Sequence, residues 1–157
     1  MDTHKHFMQA AIDSSLKSIE NGTGPFGAVI VDKEGKILVE AHNEVTTQND
    51  PTAHAEVNAI RRACKLINNF DLSGCTLYTS CEPCPLCLSA CYWAHIEKIY
   101  YANTREDAAA IDFDDKEIYE EIKKPIPERK IQMVQYGREN AITVFEKWVN
   151  KKDKIQY

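Results

Sequence analysis

Two short segments of the chain hold the residue types that bind metals and move protons. His54 and Glu56 are separated by one residue, and Cys84 and Cys87 follow Pro83 as a Cys-x-x-Cys pair. One imidazole and two thiolates can provide the three protein ligands of a catalytic zinc, whose fourth position then stays open for water. On a helix, Glu56 points to a different azimuth from His54, so it can move protons without coordinating the metal. The pattern is typical of metal-assisted acid–base chemistry.

Each segment alone has other interpretations. A Cys-x-x-Cys pair also occurs as a redox pair or as half of a structural zinc site. Four cysteines have the C-x₂-C-x₂-C-x₃-C spacing of a ferredoxin-like iron–sulfur run, namely Cys81, Cys84, Cys87 and Cys91. However, Tyr92 stands where that motif has proline, and a cluster there would leave His54 and Glu56 without a role. The cysteines outside the possible zinc set are expected to be small buried residues: Cys64, Cys75, Cys81 and Cys91.

Hydrophobic periodicity predicts the elements that position these side chains. Helices are predicted over residues 3–20, 53–67, 83–93 and 141–149, and strands over 26–31, 36–41, 75–79, 98–102 and 131–136. Both chemical segments then lie at helix starts, where the helix dipole favours thiolate over thiol. Tyr92 and Trp93 are expected to pack the helix that carries them. Alternating strands and helices predict one α/β domain over residues 1–157, with helices on both faces of a mixed sheet.

Composition and charge narrow the classes of protein. The chain has 157 residues, 43% hydrophobic and 27% charged, which are ordinary globular values. A net charge of −5 argues against a protein that mainly grips phosphate backbones, so nucleic acid is not the expected partner. No secretory segment and no run of 18 apolar residues is present, so no membrane partner is expected. With six cysteines suited to a reducing compartment, a cytoplasmic location is expected.

The two chemical segments together match the zinc deaminase signature H-x-E…P-C-x-x-C. With residues 24–29, 42–43, 49–56 and 78–84, they identify the chain as a member of the cytidine-deaminase-like superfamily. The resemblance implies a three-layer α/β/α sandwich around a central mixed five-stranded sheet. It also implies one Zn²⁺ per subunit, held by His54, Cys84 and Cys87, with Glu56 as the proton carrier.

Downstream segments resemble the bacterial guanine deaminases within this superfamily. They comprise residues 113–115, 118–119, 124–125 and 151–157. The resemblance implies hydrolysis of guanine to xanthine and ammonia, in purine catabolism or salvage. Asp115 is then a second proton carrier, with Asp114 as the alternative. The implied substrate-binding groups are the Phe26 ring, the Asn43 side chain, the backbone N–H of Ala55 and the Tyr157 ring.

The same resemblance implies a homodimer whose C-terminal segment can swap between subunits. Tyr157 would then close the pocket of the neighbouring subunit. Other substrates remain open on this scaffold, including adenosine in tRNA, cytosine and other aminated heterocycles. A non-catalytic zinc protein is a further alternative, and it would leave Glu56 redundant.

Overall fold

A computed structural model describes residues 3–157 of the chain. The chain divides into two compact units, the first ending at Asp115 and the second spanning Lys116–Tyr157. Each unit is described by itself below. The interpretation of residues 1–157 as one domain stays a prediction.

The first unit is built on a mixed sheet of four strands. These are β1 (Gly27–Val31), β2 (Ile37–His42), β3 (Thr76–Cys81) and β4 (Lys98–Asn103), in the order β2-β1-β3-β4. β1 pairs antiparallel with both β2 and β3, whereas β3 and β4 are parallel. The predicted hairpin between β1 and β2 is present. Its turn is closed by Asp32 Oδ1, which accepts hydrogen bonds from the backbone N–H groups of Glu34 (3.0 Å) and Lys36 (2.8 Å).

Helices cover both faces of this sheet, as the alternation of elements predicts. β1 is buried along its whole length because its side chains alternate between two cores. Val29 and Val31 pack with residues of α1 (Thr3–Glu20), whereas Ala28 and Ile30 pack with residues of α3 (Ala55–Ile67) and α4 (Pro85–Trp93). The first unit is therefore a three-layer α/β/α sandwich.

Gly27 brings α1 unusually close to the sheet. A Cβ atom built on Gly27 would lie 2.2 Å from the backbone oxygen of Ala11 and 2.4 Å from the backbone nitrogen of Ser15. Both atoms belong to the helix backbone, so no side chain could move aside to admit a larger residue. Glycine is required here by this close approach of two backbones.

Two short helices follow strands of the sheet. α2 (Val45–Gln48) follows β2, and α5 (Arg105–Ala109) follows β4. α5 starts with a capping box, in which the Thr104 hydroxyl accepts from the Asp107 backbone N–H and the Asp107 carboxylate accepts from the Thr104 N–H.

The second unit contains α6 (Lys116–Lys123), a 3₁₀ turn (Ile126–Glu128) and α7 (Arg138–Asn150). Lys130 connects the segment after the 3₁₀ turn to α6. Its backbone N–H donates to Glu121 Oε2 (2.7 Å), and its Nζ donates to Glu117 Oε1 (2.8 Å). In neither unit does the described chain hold a helix that is both long and apolar enough to cross a bilayer.

The predicted fifth strand, over residues 131–136, is not confirmed. The described residues form a four-stranded sheet, and this segment pairs with none of its strands. Its apolar side chains are largely exposed, with Ile131 at 82% and Val134 at 85%. Alternating apolar residues favour a strand only where a ladder partner and a surface to cover one face are available, and the sequence pattern does not reveal either.

Candidate zinc site and active site

Two helix N-termini position the candidate metal ligands. His54 is the N-cap of α3 and Cys84 is the N-cap of α4, and both have extended backbones (φ −68°, ψ 154° and φ −66°, ψ 170°). Cys87 follows in the first turn of α4, which Pro85 opens at a position that suits its fixed φ. Because the N-terminal ends of helices carry partial positive charge, both starts stabilise thiolates and developing negative charge between them.

The three ligand atoms converge at the spacing of a tetrahedral zinc site. Nδ1 of His54 lies 3.4 Å from the Sγ atoms of both Cys84 and Cys87, and the two sulfur atoms are 3.6 Å apart. Zn–S bonds of about 2.3 Å and a Zn–N bond of about 2.05 Å would place the sulfurs about 3.8 Å apart and the nitrogen about 3.5 Å from each. The donor set and its spacing therefore fit Zn²⁺, and the predicted ligand set is brought together.

The electrostatics of this cluster favour thiolate formation. Hydrogen bonds with Cys87 and His54 lower the pKa of Cys84 to about 4, against the opposing effect of burial. The contact with Cys84, and to a smaller extent burial, raises the pKa of Cys87. The pKa of His54 is raised, chiefly by its hydrogen bond with Cys84. A divalent cation would replace these protons, because zinc binds thiolate and neutral imidazole.

Glu56 lies beside the cluster in a buried position. Its Oε2 is 3.2 Å from Cys87 Sγ, and its Oε1 accepts a hydrogen bond of 2.8 Å from the Thr79 hydroxyl. Only 5% of Glu56 is exposed, and burial raises the pKa of its carboxyl group. A carboxyl group with a raised pKa next to a metal site is suited to accept and return protons near neutral pH.

Aromatic and acidic residues reach the same region from residues 113–115. The Phe113 ring packs edge to face against Phe26, with ring centroids 5.0 Å apart. Asp115 is half-buried, and its pKa is raised by burial and by the negative charge of Cys84. Asp114 is exposed. Asp115 is therefore the less exposed of the two, and its role in the site stays a prediction.

Asn43 and Ala55, two of the other predicted substrate-binding groups, lie in the first unit. Asn43 follows β2 directly and is 7% exposed, and its backbone N–H donates to the Phe26 carbonyl (3.0 Å). Ala55 is buried, and its N–H is the first of α3, where helical geometry supplies no partner within the helix. Tyr157 belongs to the second unit and is 75% exposed, so its part in the site stays a prediction.

Three buried polar residues that the sequence did not single out support these groups. Thr79 contacts Glu56, Thr23 donates to Asn43, and Asn58 Nδ2 donates to the carbonyls of His42 (3.0 Å) and Ala53 (3.2 Å). Asn58 thereby ties the end of β2 to the start of α3. For Asn58 the available signal is a polar side chain among the apolar positions of α3, because buried polar groups are retained only where they are hydrogen-bonded.

Comparison with known proteins identifies the class to which this site belongs. The sequence profile of the cytidine and deoxycytidylate deaminase zinc-binding region matches residues 1–103, which contain all three ligands and Glu56. The chain belongs to this family and is a zinc hydrolase. The family match and the His54, Cys84 and Cys87 cluster together fit one Zn²⁺ per subunit.

Over its full length, the chain is similar to guanine deaminase from Bacillus subtilis (strain 168). The two are 48% identical over 155 residues, which cover 98% of this chain and 99% of that one. The X-ray structure of the Bacillus enzyme superposes with a TM-score of 0.94, covering 98% of each chain. A tRNA-specific adenosine deaminase from Aquifex aeolicus is 32% identical over 147 residues, 94% of each chain. A structure of guanine deaminase from Nitrosomonas europaea gives a TM-score of 0.67 at 28% identity, covering 70% of this chain and 64% of that one.

Proposed function

We propose that this protein hydrolyses guanine to xanthine and ammonia, as part of purine breakdown or salvage. The observation that carries the choice of guanine is the full-length similarity to the Bacillus enzyme, at 48% identity over 98% of the chain. That match extends past residue 103, where the match to the family profile ends, and so covers residues 113–115. The similarity to a tRNA-specific adenosine deaminase is weaker, at 32% identity, and the net charge of −5 does not favour an RNA substrate.

The reaction adds the oxygen of water to C2 of guanine and breaks the bond from C2 to the exocyclic nitrogen. Zinc held by His54, Cys84 and Cys87 supplies Lewis-acid chemistry that lowers the pKa of water from about 15.7 toward about 7. Glu56 takes a proton from the attacking water and delivers it to a ring nitrogen. It then takes the proton of the new hydroxyl group on C2 and delivers it to the leaving amine, so that ammonia departs and the C2 carbonyl of xanthine forms. Such proton transfer typically contributes about 10²–10⁴ in rate.

The remaining site residues bind and orient the base in this proposal. The Phe26 ring forms an aromatic wall, and its edge-to-face contact with Phe113 supports that role. The Asn43 side chain and the backbone N–H of Ala55 hydrogen-bond the base. Asp115 assists proton transfer at the exocyclic amino group, which its half-buried position near the cluster supports.

Ammonia release by the zinc-loaded protein tests the substrate directly. We expect release from guanine and little from guanosine, cytosine, cytidine, adenine or adenosine. The Glu56→Gln variant serves as the control, because it should keep zinc and lose turnover. Release from another base would retain the zinc chemistry and refute guanine as the substrate. Activity on an adenosine-containing tRNA stem-loop alone would favour the tRNA alternative, and unchanged turnover in the variant would refute the role of Glu56.

The protein is further proposed to be a cytoplasmic homodimer that swaps its C-terminal segment. The second unit supports a partner of the same chain because many of its apolar side chains are exposed, among them Ile131, Val134, Tyr136, Val144, Phe145 and Ile155. Exposed apolar surface on this scale is typical of a protein–protein interface. Six unpaired cysteines support the cytoplasmic location. In this arrangement, Tyr157 closes the pocket of the partner subunit.

Subunit complementation tests the swap. A Glu56→Gln chain and a Tyr157→Ala chain are each expected to be nearly inactive alone. If Tyr157 acts across the dimer, a mixed dimer regains one intact site. Random mixing then restores about a quarter of the wild-type activity, because half of the dimers are mixed and each has one active site of two. No recovery in confirmed mixed dimers would show that Tyr157 acts within its own chain or not at all.

A further inference from the structure

The side-chain oxygen of Asn43 is held from two directions. The backbone N–H of Val45 donates to Asn43 Oδ1 at 3.0 Å, and the hydroxyl of Thr23 lies 2.5 Å from the same atom. A backbone N–H can only donate, so this contact fixes which end of the carboxamide is the oxygen. The Thr23 hydroxyl must therefore donate as well. Both residues are nearly inaccessible, with Thr23 at 8% and Asn43 at 7% exposure.

The amide nitrogen of Asn43 is consequently the polar end left for a ligand. This nitrogen has no hydrogen-bond partner within residues 3–157. Every fully buried side-chain nitrogen or oxygen atom of these residues does have a partner. The nitrogen must therefore reach accessible space. Its neighbours place that space at the site, because Asn43 N bonds the Phe26 carbonyl and Glu44 N bonds the carbonyl of Ala53, which precedes the ligand His54.

We propose that Thr23 contributes to base specificity by holding Asn43, together with the Val45 N–H, as a hydrogen-bond donor. The inference rests on the proposed guanine deamination and adds a residue that does not touch the substrate. The other fixed polar group of the pocket, the Ala55 N–H, is also a donor. Two donors fit a base edge that offers a carbonyl oxygen and a ring nitrogen. They disfavour adenine, which presents an exocyclic amine where guanine has its carbonyl, because two N–H groups would then face each other.

The loop that carries Thr23 does not depend on this hydroxyl for its shape. The backbone N–H of Thr23 donates to the Ser18 carbonyl at 3.1 Å, and the Ser18 hydroxyl donates to the carbonyl of Gly24 at 2.5 Å. These contacts hold the turn between α1 and β1 without the Thr23 side chain. A valine at position 23 keeps the shape of threonine and removes only the donor, so it can test this role of Thr23 in a folded protein.

Binding of hypoxanthine and adenine by the zinc-loaded Thr23→Val and Thr23→Ser variants tests this proposal. Hypoxanthine has the carbonyl and ring edge of guanine without the reactive amino group, so calorimetry can measure its affinity directly. We expect Thr23→Val to weaken hypoxanthine binding and raise the KM for guanine by about fivefold, the effect of one neutral hydrogen bond. The value of kcat should stay within twofold, and adenine binding should not weaken. Thr23→Ser keeps the donor and should match the wild type.

Several outcomes would overturn this role of Thr23. For Thr23→Val, these outcomes are an equal loss of hypoxanthine and adenine binding, or no loss of either. For Thr23→Ser, the outcome is the same defect as in Thr23→Val. For the wild type, they are equal affinity for adenine and hypoxanthine, or no binding of either base. Failure of the proposed function gives a different result, because the wild type would then release no ammonia from guanine. Calorimetry with hypoxanthine and adenine still measures the effect of Thr23 on base binding in that case.

Discussion

Replacing Thr79 by valine tests whether the buried hydrogen bond to Glu56 serves the chemistry. Thr79 is 1% exposed, and its hydroxyl lies 2.8 Å from Glu56 Oε1 and 3.0 Å from the Cys81 carbonyl. A hydrogen bond to a charged group contributes about 1.5–3 kcal/mol. If that stabilisation is needed when Glu56 is ionised in the transition state, its loss lowers kcat about 10- to 150-fold. Steady-state xanthine formation from guanine measures this change.

Two controls separate this effect from damage to the fold or the metal site. Thr79→Ser keeps the hydroxyl and should retain most of kcat, and metal analysis should find one zinc per chain in both variants. Thermal unfolding should show a modest loss for Thr79→Val, because a buried hydroxyl is removed without a change in shape. A zinc-loaded Thr79→Val protein with kcat within twofold of the wild type would refute the argument. An effect explained wholly by lost zinc would refute it as well.

Three further predictions follow from the site and the fold. Removing zinc with a chelator should abolish ammonia release and lower the melting temperature, and added Zn²⁺ should restore both; activity that survives verified zinc loss would contradict the mechanism. Asp115→Asn should lower kcat on guanine at least about tenfold while zinc is retained, whereas exposed Asp114→Asn should stay near wild type, and a reversed order would exchange their roles. Gly27→Ala should lower the free energy of unfolding by about 3 kcal/mol, because the new Cβ would lie 2.2 Å from the Ala11 carbonyl oxygen. Urea titrations measure this change, and a value near zero would show that α1 shifts at little cost.

The metal site could be predicted because its determinants are local in the sequence. His54 and Glu56 belong to one helix start, and Cys84 and Cys87 belong to another. Each pair is placed by the geometry of a single helical turn. The sequence therefore indicates which side chains meet, once the two helix starts are assumed to face each other. That assumption came from the family resemblance, and the distances of 3.4–3.6 Å among the ligand atoms confirm it.

Contacts between distant segments were beyond the sequence pattern. Thr79 meets Glu56 across 23 positions, and Thr23 meets Asn43 across 20. A threonine in a strand or in a turn carries no periodic signal that identifies its partner. Such contacts depend on how the sheet and its flanking loops pack, and hydrophobic alternation does not encode that geometry.

Apolar residues at the surface show the same limit. Tyr92 and Trp93 are expected to pack within the chain, but they are 76% and 66% exposed at the end of α4. The predicted strand over residues 131–136 has exposed apolar side chains as well. The hydrophobicity of a side chain indicates that its burial is favourable. It does not identify the surface that covers it, which can belong to another subunit.

Two of the proposed base-binding side chains lie on different segments from the metal ligands. The ligands are N-cap and first-turn residues of two helices packed on the sheet, so the core of the sandwich fixes their spacing. The proposed base-binding residues Phe26 and Asn43, by contrast, lie directly before β1 and directly after β2, and Asp115 lies beyond residue 103, where the family match ends. Substitutions in these peripheral segments can alter hydrogen bonding to the base without moving the zinc. A family that acts on several aminated bases with one metal site requires this independence, and the contact between Thr23 and Asn43 is one point at which it can be measured.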